Sequence, residues 1–566
     1  MDDLSVMRPA VADGASWKLA PAIASLTQGL VVSGFGSLPQ GRALFLNIGA
    51  SDPMAQNRGA WLQQLNQIAP VTSADAPAAG ATQAAALAFT WTGLQVMGLA
   101  ESALASFLTP FREGMMQEDR LRRLGDRRDG KWLQTVIKDG PEWSANIPQS
   151  AAMGPQAGAY DVTRFFSETA FGSGQIVHAV LLLYTPDQAA AAALAARVAA
   201  ALLLHNVAVV RHLDLNLEVE KTGVSNEHFG FADGLSQPSP FDGTDAVLMN
   251  GQPVRTPDPV QGVALGDILL GYVNAHHEIA PGPVVPGDRV KPRQPEPAQA
   301  GQVPDPRQEQ AEIIADPRPV QAGLIPDPKA QGFFDFGLNG SYLVIRELKQ
   351  NVAAFWQSME ENAAAITARD PVHSAHVTAD WLADRVIGRN RKGQLLGPDG
   401  PMPLDATGQP DSSYLFRDRD PLGHGCPLGS HVRRANPRDT LAPTPDQGPT
   451  LLHAANNHRI LRRGRKYGPK IADPHVDDDV DRGLLFMCLN TDIARQFEFV
   501  QTTWLLNSSF ATLYQEVDPL VGPDGPMTVP EDPLRRTIHV KTFVQMVGGD
   551  YFFLPSLPAL RYLALL

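Results

Sequence analysis

The amino-acid sequence predicts an α+β protein made of two sheet-plus-helix halves. Strand-like and helix-like segments alternate in two sets, and a proline-rich stretch at 279–328 separates one set from the other. No sequence repeat links the two sets, so any duplication is one of structure rather than of sequence. Because sheets and amphipathic helices bury their apolar faces against each other, two such sets indicate two packed halves.

The first set of segments occupies roughly the first 225 residues. Residues 29–49 are expected to form two strands joined by a turn, and residues 54–68 an amphipathic helix. The apolar run at 174–184 predicts a buried strand, the alanine-rich run at 189–204 a helix, and 206–215 a further strand. The last three segments together form a β-α-β unit.

The second set follows the proline-rich stretch. Residues 339–348 predict a strand and 349–366 a helix with one apolar face. Residues 483–490 predict another strand, 491–506 another helix, and 548–556 a closing strand. The second half therefore repeats the alternation of the first half.

The proline-rich stretch sets the predicted division of the chain. Proline lacks an N–H donor and restricts the residue before it, so this stretch predicts a long irregular loop. Such a loop is a lid or interface arm in one interpretation and a solvated insertion in the other. The division is an N-terminal half at 1–225, a connecting segment at 226–335 and a C-terminal half at 336–566.

Composition and charge exclude several classes of partner. The formal net charge of −13 leaves no basic face for nucleic-acid phosphates or an anionic membrane. The most hydrophobic helix candidate, at 189–204, is interrupted by Arg197 and is too short to cross a bilayer. Two cysteines, Cys426 and Cys488, build no disulfide framework and fit a reducing compartment. The N-terminal stretch MDDLSVMRPAVADG lacks a secretory pattern, which predicts a cytoplasmic protein.

Two short stretches carry residues suited to a reaction. EHFGFADGLSQP places a single carboxylate, Asp233, in a turn flanked by Gly230 and Gly234. Glycines let the chain bend sharply and let another group approach the backbone. GCPLGSHVRRANPRD places His431 after a glycine–serine turn. Taken alone, Asp233 also fits a turn cap and His431 a structural histidine.

Familiar metal and nucleotide motifs are absent from the sequence. No H-E-x-x-H, C-x-x-C or C-x-x-C-H spacing supports a zinc site or covalent haem attachment, and no G-x-x-x-x-G-K-[ST] supports a phosphate loop. The acidic run at 477–479 predicts a solvated loop, with a metal site as the alternative. Cys426 offers a thiolate as an alternative ligand five residues before His431.

Several sequence blocks, in their family order, resemble the dye-decolorizing (DyP-type) haem peroxidases. GFADG resembles that family's G-x-x-D-G motif, CPLGSHVRRANPRD its proximal-histidine segment, and RILRRGRKYG its distal-arginine segment. GLLFMCLNTDIARQFEFVQTTW and GGDYFFLPS resemble two further blocks, and FTWTGLQVMGL with FREGMMQEDRLRRLGD resembles the N-terminal half. The likeness extends from about residue 89 to the C-terminus, and the length and proline-rich insert resemble the longer bacterial branch.

The resemblance implies a fold, a cofactor and an activity. The fold is two ferredoxin-like halves, antiparallel sheets with packed helices, that enclose one haem b (iron protoporphyrin IX) per chain. The activity is that of a peroxidase, in which hydrogen peroxide oxidises small organic one-electron donors, such as dyes and phenolics, through a ferryl intermediate. The alternatives are a porphyrin-modifying or deferrochelatase-like enzyme and a haem-binding protein without turnover. The oligomeric state, monomer or homodimer, is left open.

The family pattern also implies roles for individual residues. His431 matches the axial ligand of the haem iron, Asp233 the distal acid–base residue, and Arg462 the distal arginine. Arg463 is the neighbouring alternative, because a one-residue slip in the alignment exchanges the two arginines.

Further residues complete the implied haem site. Leu484 and Phe486 match a pair that shapes the distal face of the haem. A carboxylate is expected to accept the second ring N–H of the axial histidine, and either Glu498 or Asp492 is the candidate. Trp504 is a core aromatic in one interpretation and a relay for electrons from bulky donors in the other, and the same holds for Tyr467.

These residue types suit the implied chemistry. A neutral imidazole binds ferric iron, and a carboxylate behind it raises its basicity and fixes its tautomer. A positioned carboxylate can move a proton from one peroxide oxygen to the other. A guanidinium beside that carboxylate keeps it ionised and stabilises charge on the departing oxygen.

Overall fold

A computed structural model describes most of the chain. The described residues are 19–49, 57–75, 80–145, 175–218, 225–241, 258–290, 313–405 and 408–566, together with the backbone of 247–249 and 252–254. The predictions made for the N-terminal stretch, and for the middle of the proline-rich stretch at 291–312, lie outside the described residues.

The first half has the strand and helix order of a ferredoxin-like unit, β-α-β-β-α-β. Its elements are β1 (Gln40–Ile48), α1 (Ala60–Ile68), β2 (Ala84–Phe89), β3 (Ala179–Thr185), α2 (Gln188–Leu203) and β4 (Val207–Asn216). The four strands form an antiparallel sheet in the order β4-β1-β3-β2. This half therefore has the predicted layers, one sheet with two helices packed on it.

The second half repeats this order with a different second helix. Its elements are β5 (Ser341–Gln350), α3 (Val352–Arg369), β6 (Arg465–Tyr467), β7 (Gly483–Asn490), two π-helical segments at Ala494–Glu498 and Val500–Leu505, and β8 (Val544–Leu554). The sheet order is β8-β5-β7-β6, which is the ferredoxin-like order again. The predicted fold class, α+β with two ferredoxin-like halves, is confirmed.

The two sheets join at both edges and close into an eight-stranded barrel. Strand β4 pairs with β6 through Leu215 and Tyr467, and β2 pairs with β8 through Phe89 and Phe553. Closure leaves neither sheet with an open edge in this ring. The sequence predicts two halves but gives no sign of this continuous pairing.

The strands are buried on both faces because the barrel interior covers one face and the helices cover the other. All six residues of β2 and all seven of β3 are buried. Along β5, Leu343 and Ile345 belong to the interior cluster, as do Leu485 and Met487 of β7. The intervening residues of these two strands therefore point outward, toward the helices.

Two predicted elements differ from the structure. Residues 29–49 contain one strand rather than two, because Gly29–Val31 forms a 3-10 turn in which the Gly29 N–H donates to the Thr72 carbonyl at 2.7 Å. The predicted helix at 491–506 is π-helical, with the Leu506 N–H donating to the Gln501 carbonyl at 3.0 Å. Wider π-type turns of this kind are common near functional sites.

The described parts of the proline-rich stretch are more regular than predicted. Val284–Pro286 pairs with Phe333–Asp335, and Asp288–Val290 pairs with Ile313–Ala315. A short helix, Arg318–Ala322, follows. The prediction of an irregular loop is therefore wrong for these residues, whose backbone groups pair with each other rather than with solvent.

Shorter elements connect and cover the barrel. The remaining α-helices are Pro21–Ala24, Trp91–Val96, Glu101–Ala105, Thr109–Glu113, Glu118–Arg123, Ala379–Ile387, Phe416–Arg419, His431–Ala435, Gly448–Asn456 and Leu557–Leu563. A peripheral hairpin pairs Gly525–Pro530 with Arg535–Val540. Within the described ranges, no helix combines the length and apolarity needed to cross a membrane.

A buried ion pair connects the two halves inside the barrel. Arg211 of β4 donates to both carboxylate oxygens of Glu347 of β5, at 2.8 and 2.5 Å, and the Trp143 indole N–H donates to the same carboxylate at 2.7 Å. The Glu347 side chain is fully buried. Removing Glu347 would leave Arg211 paired with the half-exposed Glu142 at 2.8 Å and without its fully buried partner, which is costly.

We expect Glu347→Ala to lower the free energy of unfolding by about 3 kcal/mol, because Arg211 loses its buried partner. Chemical denaturation of the protein measures this change. The matched control is Asp214→Ala, which breaks the half-exposed pair with Arg42 and is expected to cost less than about 1 kcal/mol. Equal losses in the two variants would contradict the importance of the inter-half pair.

Candidate active site

One cavity collects most of the residues that the sequence singles out. It has a volume of about 280 Å³ and is lined by His431, Asp233, Arg462, Leu484 and Phe486. It lies on the outer face of β5 and β7, between the second sheet and the segments that cover it. Nearly all of its lining comes from residue 227 onward, so the connecting segment and the second half together provide the site.

The ring of His431 is held by a buried carboxylate. His431 begins the helix His431–Ala435, and its Nδ1 lies 2.9 and 3.1 Å from the two carboxylate oxygens of Asp518. An ionised carboxylate only accepts, so Nδ1 carries the hydrogen, and in the neutral ring Nε2 keeps its lone pair. About 30% of the His431 side chain remains accessible, whereas Asp518 is fully buried. The ring therefore presents a fixed tautomer to the cavity.

The charges of this pair stabilise each other. Burial lowers the pKa of His431, but the charge of Asp518 and its hydrogen bond outweigh burial and raise it. Burial raises the pKa of Asp518, but the interaction with His431 and the Val521 N–H outweigh burial and lower it. The Leu520 and Val521 N–H groups donate to Asp518 Oδ1 at 2.9 and 3.0 Å, which fixes the carboxylate in its loop.

The predicted partners of His431 are wrong. Glu498 instead forms a buried ion pair with Arg120 and accepts the Tyr551 O–H at 2.8 Å. Asp492 accepts the Arg495 N–H at 3.0 Å, as a local cap. The true partner, Asp518, lies 87 residues from His431 and carries no motif, so helical spacing could not reveal it.

The turn that carries Asp233 depends on glycine. Asp233 ends the short strand Ala232–Asp233, and Gly230 and Gly234 have φ of 99° and 78°. A Cβ at Gly234 would meet no atom within 4 Å, so the requirement there is conformational rather than steric. The Gly234 N–H donates to Asp233 Oδ1 at 2.6 Å, and no described residue donates to Oδ2.

Arg462 is the partner of Asp233. Its Nη1 lies 3.3 Å from Asp233 Oδ1, and its Nη2 donates to the Leu235 carbonyl at 2.6 Å. About a third of each side chain stays accessible, 34% for Arg462 and 32% for Asp233. The pair is therefore in place on the cavity wall while one carboxylate oxygen stays available.

Arg463 does not contribute to the cavity. Its Nε and Nη2 donate to the carbonyls of Leu30 and Val31, both at 2.8 Å, on the other side of the chain. Successive side chains of an extended segment point to opposite faces, so only one of two neighbouring arginines can reach the site. The alternative prediction of Arg463 as a site residue is wrong.

Leu484 and Phe486 form an apolar part of the wall. The two residues are two positions apart on β7 and therefore share its outer face. Leu484 pairs directly with Leu348 of β5, and Phe486 pairs with Arg346. The cavity thus has a floor of two adjacent strands, apolar at Leu348 and Leu484 and charged at Arg346.

Three buried arginines beside the Asp233 turn were not foreseen from the sequence. Arg389 and Arg438 donate to Ser236 Oγ at 3.0 and 3.3 Å, and Arg459 donates to the Ser236 carbonyl at 2.6 Å. Among the described residues, none of the three forms an ion pair with a carboxylate. Burial lowers the pKa of Arg459 to about 9, and the charges of Arg438 and Arg462 add to this effect. Arg389 and Arg459 line the cavity, so its wall carries positive charge that no carboxylate of the described residues pairs with.

Two guanidinium groups on the wall each have a nitrogen with no hydrogen-bond partner among the described residues. These are Nη1 of Arg459 and Nη1 of Arg346, although Nη2 of Arg346 donates to Asp126 at 2.6 Å. Buried donors that lack an acceptor are uncommon and call for a bound group or water. A ligand that carries carboxylates fits both the spare donors and the excess positive charge.

These features fit an iron porphyrin better than a bare metal ion. No group of three or more His, Cys, Asp or Glu residues suited to a metal ion occurs in the part of the chain that the structure describes. A porphyrin would supply four ligands to its iron, and the Nε2 of His431 could supply a further nitrogen ligand. Its two propionates could accept from the spare nitrogens of Arg459 and Arg346, and Leu484 with Phe486 offers apolar surface. The site therefore defines a candidate haem-binding protein.

Sequence comparisons find similarity to dye-decolorizing peroxidases. No family model matches the chain. This chain is 29% identical over 377 residues to a dye-decolorizing peroxidase of Mycena epipterygia. The aligned region covers 60% of this chain and 57% of that protein. This chain is 32% identical over 249 residues to a multifunctional dye peroxidase of Amycolatopsis sp., over 40% of this chain and 49% of that protein. The chain spans about half the length of the curated relatives it matches.

Solved structures agree over nearly the whole chain. A DyP-type peroxidase of Anabaena sp. has a TM-score of 0.62 at 19% identity and covers 97% of this chain and 99% of its own. A dye-decolorizing peroxidase in complex with 2,6-dimethoxyphenol has a TM-score of 0.63 at 20% identity, and the match covers 97% of this chain and 100% of that one. The fold is that of the DyP-type peroxidases, and the predicted resemblance to this family is confirmed.

We expect Asp518→Asn to weaken haem binding about 10- to 100-fold. The asparagine oxygen can still accept from Leu520 and Val521, but its amide then faces His431 Nδ1 and favours the tautomer with hydrogen on Nε2. Absorbance titration of the cofactor-free protein with haemin measures the affinity. Glu498→Gln is the control, since Glu498 does not contact His431, and a larger loss in that variant would contradict the assignment of Asp518.

Proposed function

We propose that the protein is a haem b peroxidase of the DyP type, with one haem per chain. One observation carries this proposal: a single cavity wall presents both an imidazole with a fixed tautomer and a carboxylate–guanidinium pair. The curated relatives named as dye-decolorizing peroxidases support the same function. The proposed substrates are hydrogen peroxide and small organic one-electron donors.

His431 would hold the cofactor through Nε2, and Asp518 would keep that nitrogen unprotonated. A bound haem supplies the iron whose oxidation by peroxide and stepwise reduction by organic donors is the redox chemistry of such an enzyme. The carboxylate behind the imidazole raises its basicity and holds its orientation. The arginines Arg459 and Arg346, with their spare donors, would hold the propionates.

Asp233 would move the proton that peroxide cleavage requires. Its Oδ2 has no donor among the described residues and can accept a proton from one peroxide oxygen and return it to the other. Arg462, 3.3 Å from Asp233, would stabilise negative charge on the oxygen that leaves. A protein that only carries haem has no need of such a pair, so the pair favours turnover.

The remaining wall would keep water out and leave room for peroxide. Leu484 and Phe486 offer no hydrogen bond to solvent and narrow the space beside Asp233. The structural neighbour in complex with 2,6-dimethoxyphenol supports phenolic donors as a substrate class for this chain. The three-part division of the chain, a monomeric or homodimeric state and a cytoplasmic location stay predictions.

We expect Asp233→Asn to slow the reaction of the haem-loaded protein with peroxide by about 10²- to 10⁴-fold, because the amide cannot accept the proton. Stopped-flow absorbance of the haem band after peroxide addition measures this rate. Haem affinity should stay within about threefold of wild type, since Asp233 does not hold the cofactor. A variant that reacts as fast as wild type would exclude Asp233 as the acid–base residue.

We expect His431→Ala to lose the axial nitrogen ligand. Electron paramagnetic resonance and visible absorption of the ferric protein report the ligand directly. His458→Ala is the matched control, because His458 also lines the cavity but its Nδ1 is engaged with the Arg495 carbonyl at 2.5 Å. If the His431→Ala spectrum is the same as that of wild type, His431 is not the ligand. The same conclusion follows if the spectrum changes in His458→Ala and not in His431→Ala.

A further inference from the structure

Glu227 lies at the start of the turn that ends in Asp233. The turn connects two short paired strands, Ser225–Asn226 and Ala232–Asp233. Glu227 lines the same cavity as Asp233. No role follows for Glu227 from the site as described so far, although it is an acidic side chain beside the reacting groups.

The carboxylate of Glu227 receives three N–H donors. The Phe231 N–H donates to Oε1 at 2.8 Å, and the Phe229 N–H donates to Oε2 at 2.8 Å. Gln350, the last residue of β5, donates to Oε2 at 2.6 Å. The side chain therefore ties the inside of the turn to the barrel.

The outside of the turn is fixed by packing. The Phe229 ring stacks on Phe355 of α3 with centroids 4.5 Å apart, and the Phe231 ring is parallel to Trp356 at 6.3 Å. Both phenylalanines are at most 3% exposed. Because their backbone N–H groups lie in this buried turn, losing Glu227 would leave two donors without acceptors.

The position of Asp233 follows directly from this anchor. Only Ala232 separates Phe231 from Asp233, so a shift at Phe231 moves the Asp233 carboxylate. The contact between Asp233 and Arg462 is already 3.3 Å, and a displacement near 1 Å would break it.

We propose that Glu227 is a positioning residue for Asp233, whose buried-side hydrogen bonds hold the turn that aims Asp233 into the cavity. This inference rests on the proposed function, in which Asp233 is the proton acceptor. Glu227 itself acts through the turn and not on the substrate.

The surroundings of the two carboxyl groups support different roles. Asp233 faces a guanidinium, whereas the donors to Glu227 are all neutral amides. Burial raises the pKa of Glu227 to about 7, the three N–H groups act against this rise, and the charge of Asp233 adds to it. Glu227, whose oxygens accept from amide N–H groups, therefore serves as the anchor. Asp233, whose Oδ2 has no donor among the described residues, serves as the proton acceptor.

The test uses the haem-loaded protein and cyanide as the probe. Hydrogen cyanide must lose a proton to bind ferric haem, so its association rate reports the placement of the distal base without turnover. In Glu227→Gln, an NH₂ group replaces one of the two carboxylate oxygens. This NH₂ group then faces the N–H of Phe229 or Phe231, which loses its acceptor. We expect cyanide association to fall by about 10- to 100-fold, and amide exchange at Phe229 and Phe231 to become faster.

The matched control is Asp335→Asn. Asp335 also accepts two backbone N–H groups, from Gly337 and Leu338 at 2.9 and 2.8 Å, and it does not line the cavity. Its cyanide association rate should stay within about twofold of wild type. A comparable loss in both variants would indicate general destabilisation and overturn the proposal.

A double-variant comparison separates positioning from general structural support. In the Asp233→Asn background, adding Glu227→Gln should change cyanide association by less than about twofold, because both changes act on the same group. Independent, multiplying losses overturn the proposal, as does an unchanged rate in Glu227→Gln alone. If wild type binds cyanide but does not react with peroxide, the proposed function fails while these comparisons still decide the role of Glu227.

Discussion

The hydrogen bond between His431 and Asp518 is the interaction on which the site depends. A fully buried carboxylate, fixed by two backbone N–H groups of its own loop, makes one ring nitrogen a donor and leaves the other a lone pair. Without Asp518 the His431 ring could carry its hydrogen on either nitrogen. A ligand bound to the arginines of the wall would then lack a defined nitrogen ligand from His431. The chemistry that we propose for the cavity starts from this single fixed tautomer.

Charge organises the rest of the cavity. Arg389, Arg438 and Arg459 bond to hydroxyl and carbonyl oxygens beside the Asp233 turn, so their charges stay uncompensated within the described residues. Buried positive charge of this kind is unfavourable alone and favours an anionic ligand. Arg462 extends this positive wall to Asp233, so one cluster of arginines contacts both the proposed carboxylate-binding region and the proposed proton acceptor.

The closed barrel gives these groups a rigid support. The outer faces of β5 and β7 form the cavity floor, while their inner faces pack into a core shared by both halves. Side chains on such strands can move little without disturbing the barrel interior. The Asp233 turn is not part of the barrel. Its Glu227 accepts from the Gln350 side chain of β5, and its His228 hydrogen-bonds the Tyr467 carbonyl of β6 at 2.8 Å. These contacts hold a residue outside the barrel accurately enough for the acid–base role that we propose for it.

The sequence by itself determined the alternation of strands and helices, the glycine-flanked turn at Asp233 and the likeness to the DyP-type peroxidases. These features are local, since strand burial, glycine conformations and short motifs depend on neighbouring residues. Only the tertiary structure decided that Asp518 and not Glu498 or Asp492 holds His431, and that Arg463 faces Leu30 while Arg462 reaches Asp233. It also decided the closure of the barrel. Such contacts join residues far apart in the chain, and no periodicity or spacing records which distant partner the folded backbone will bring near.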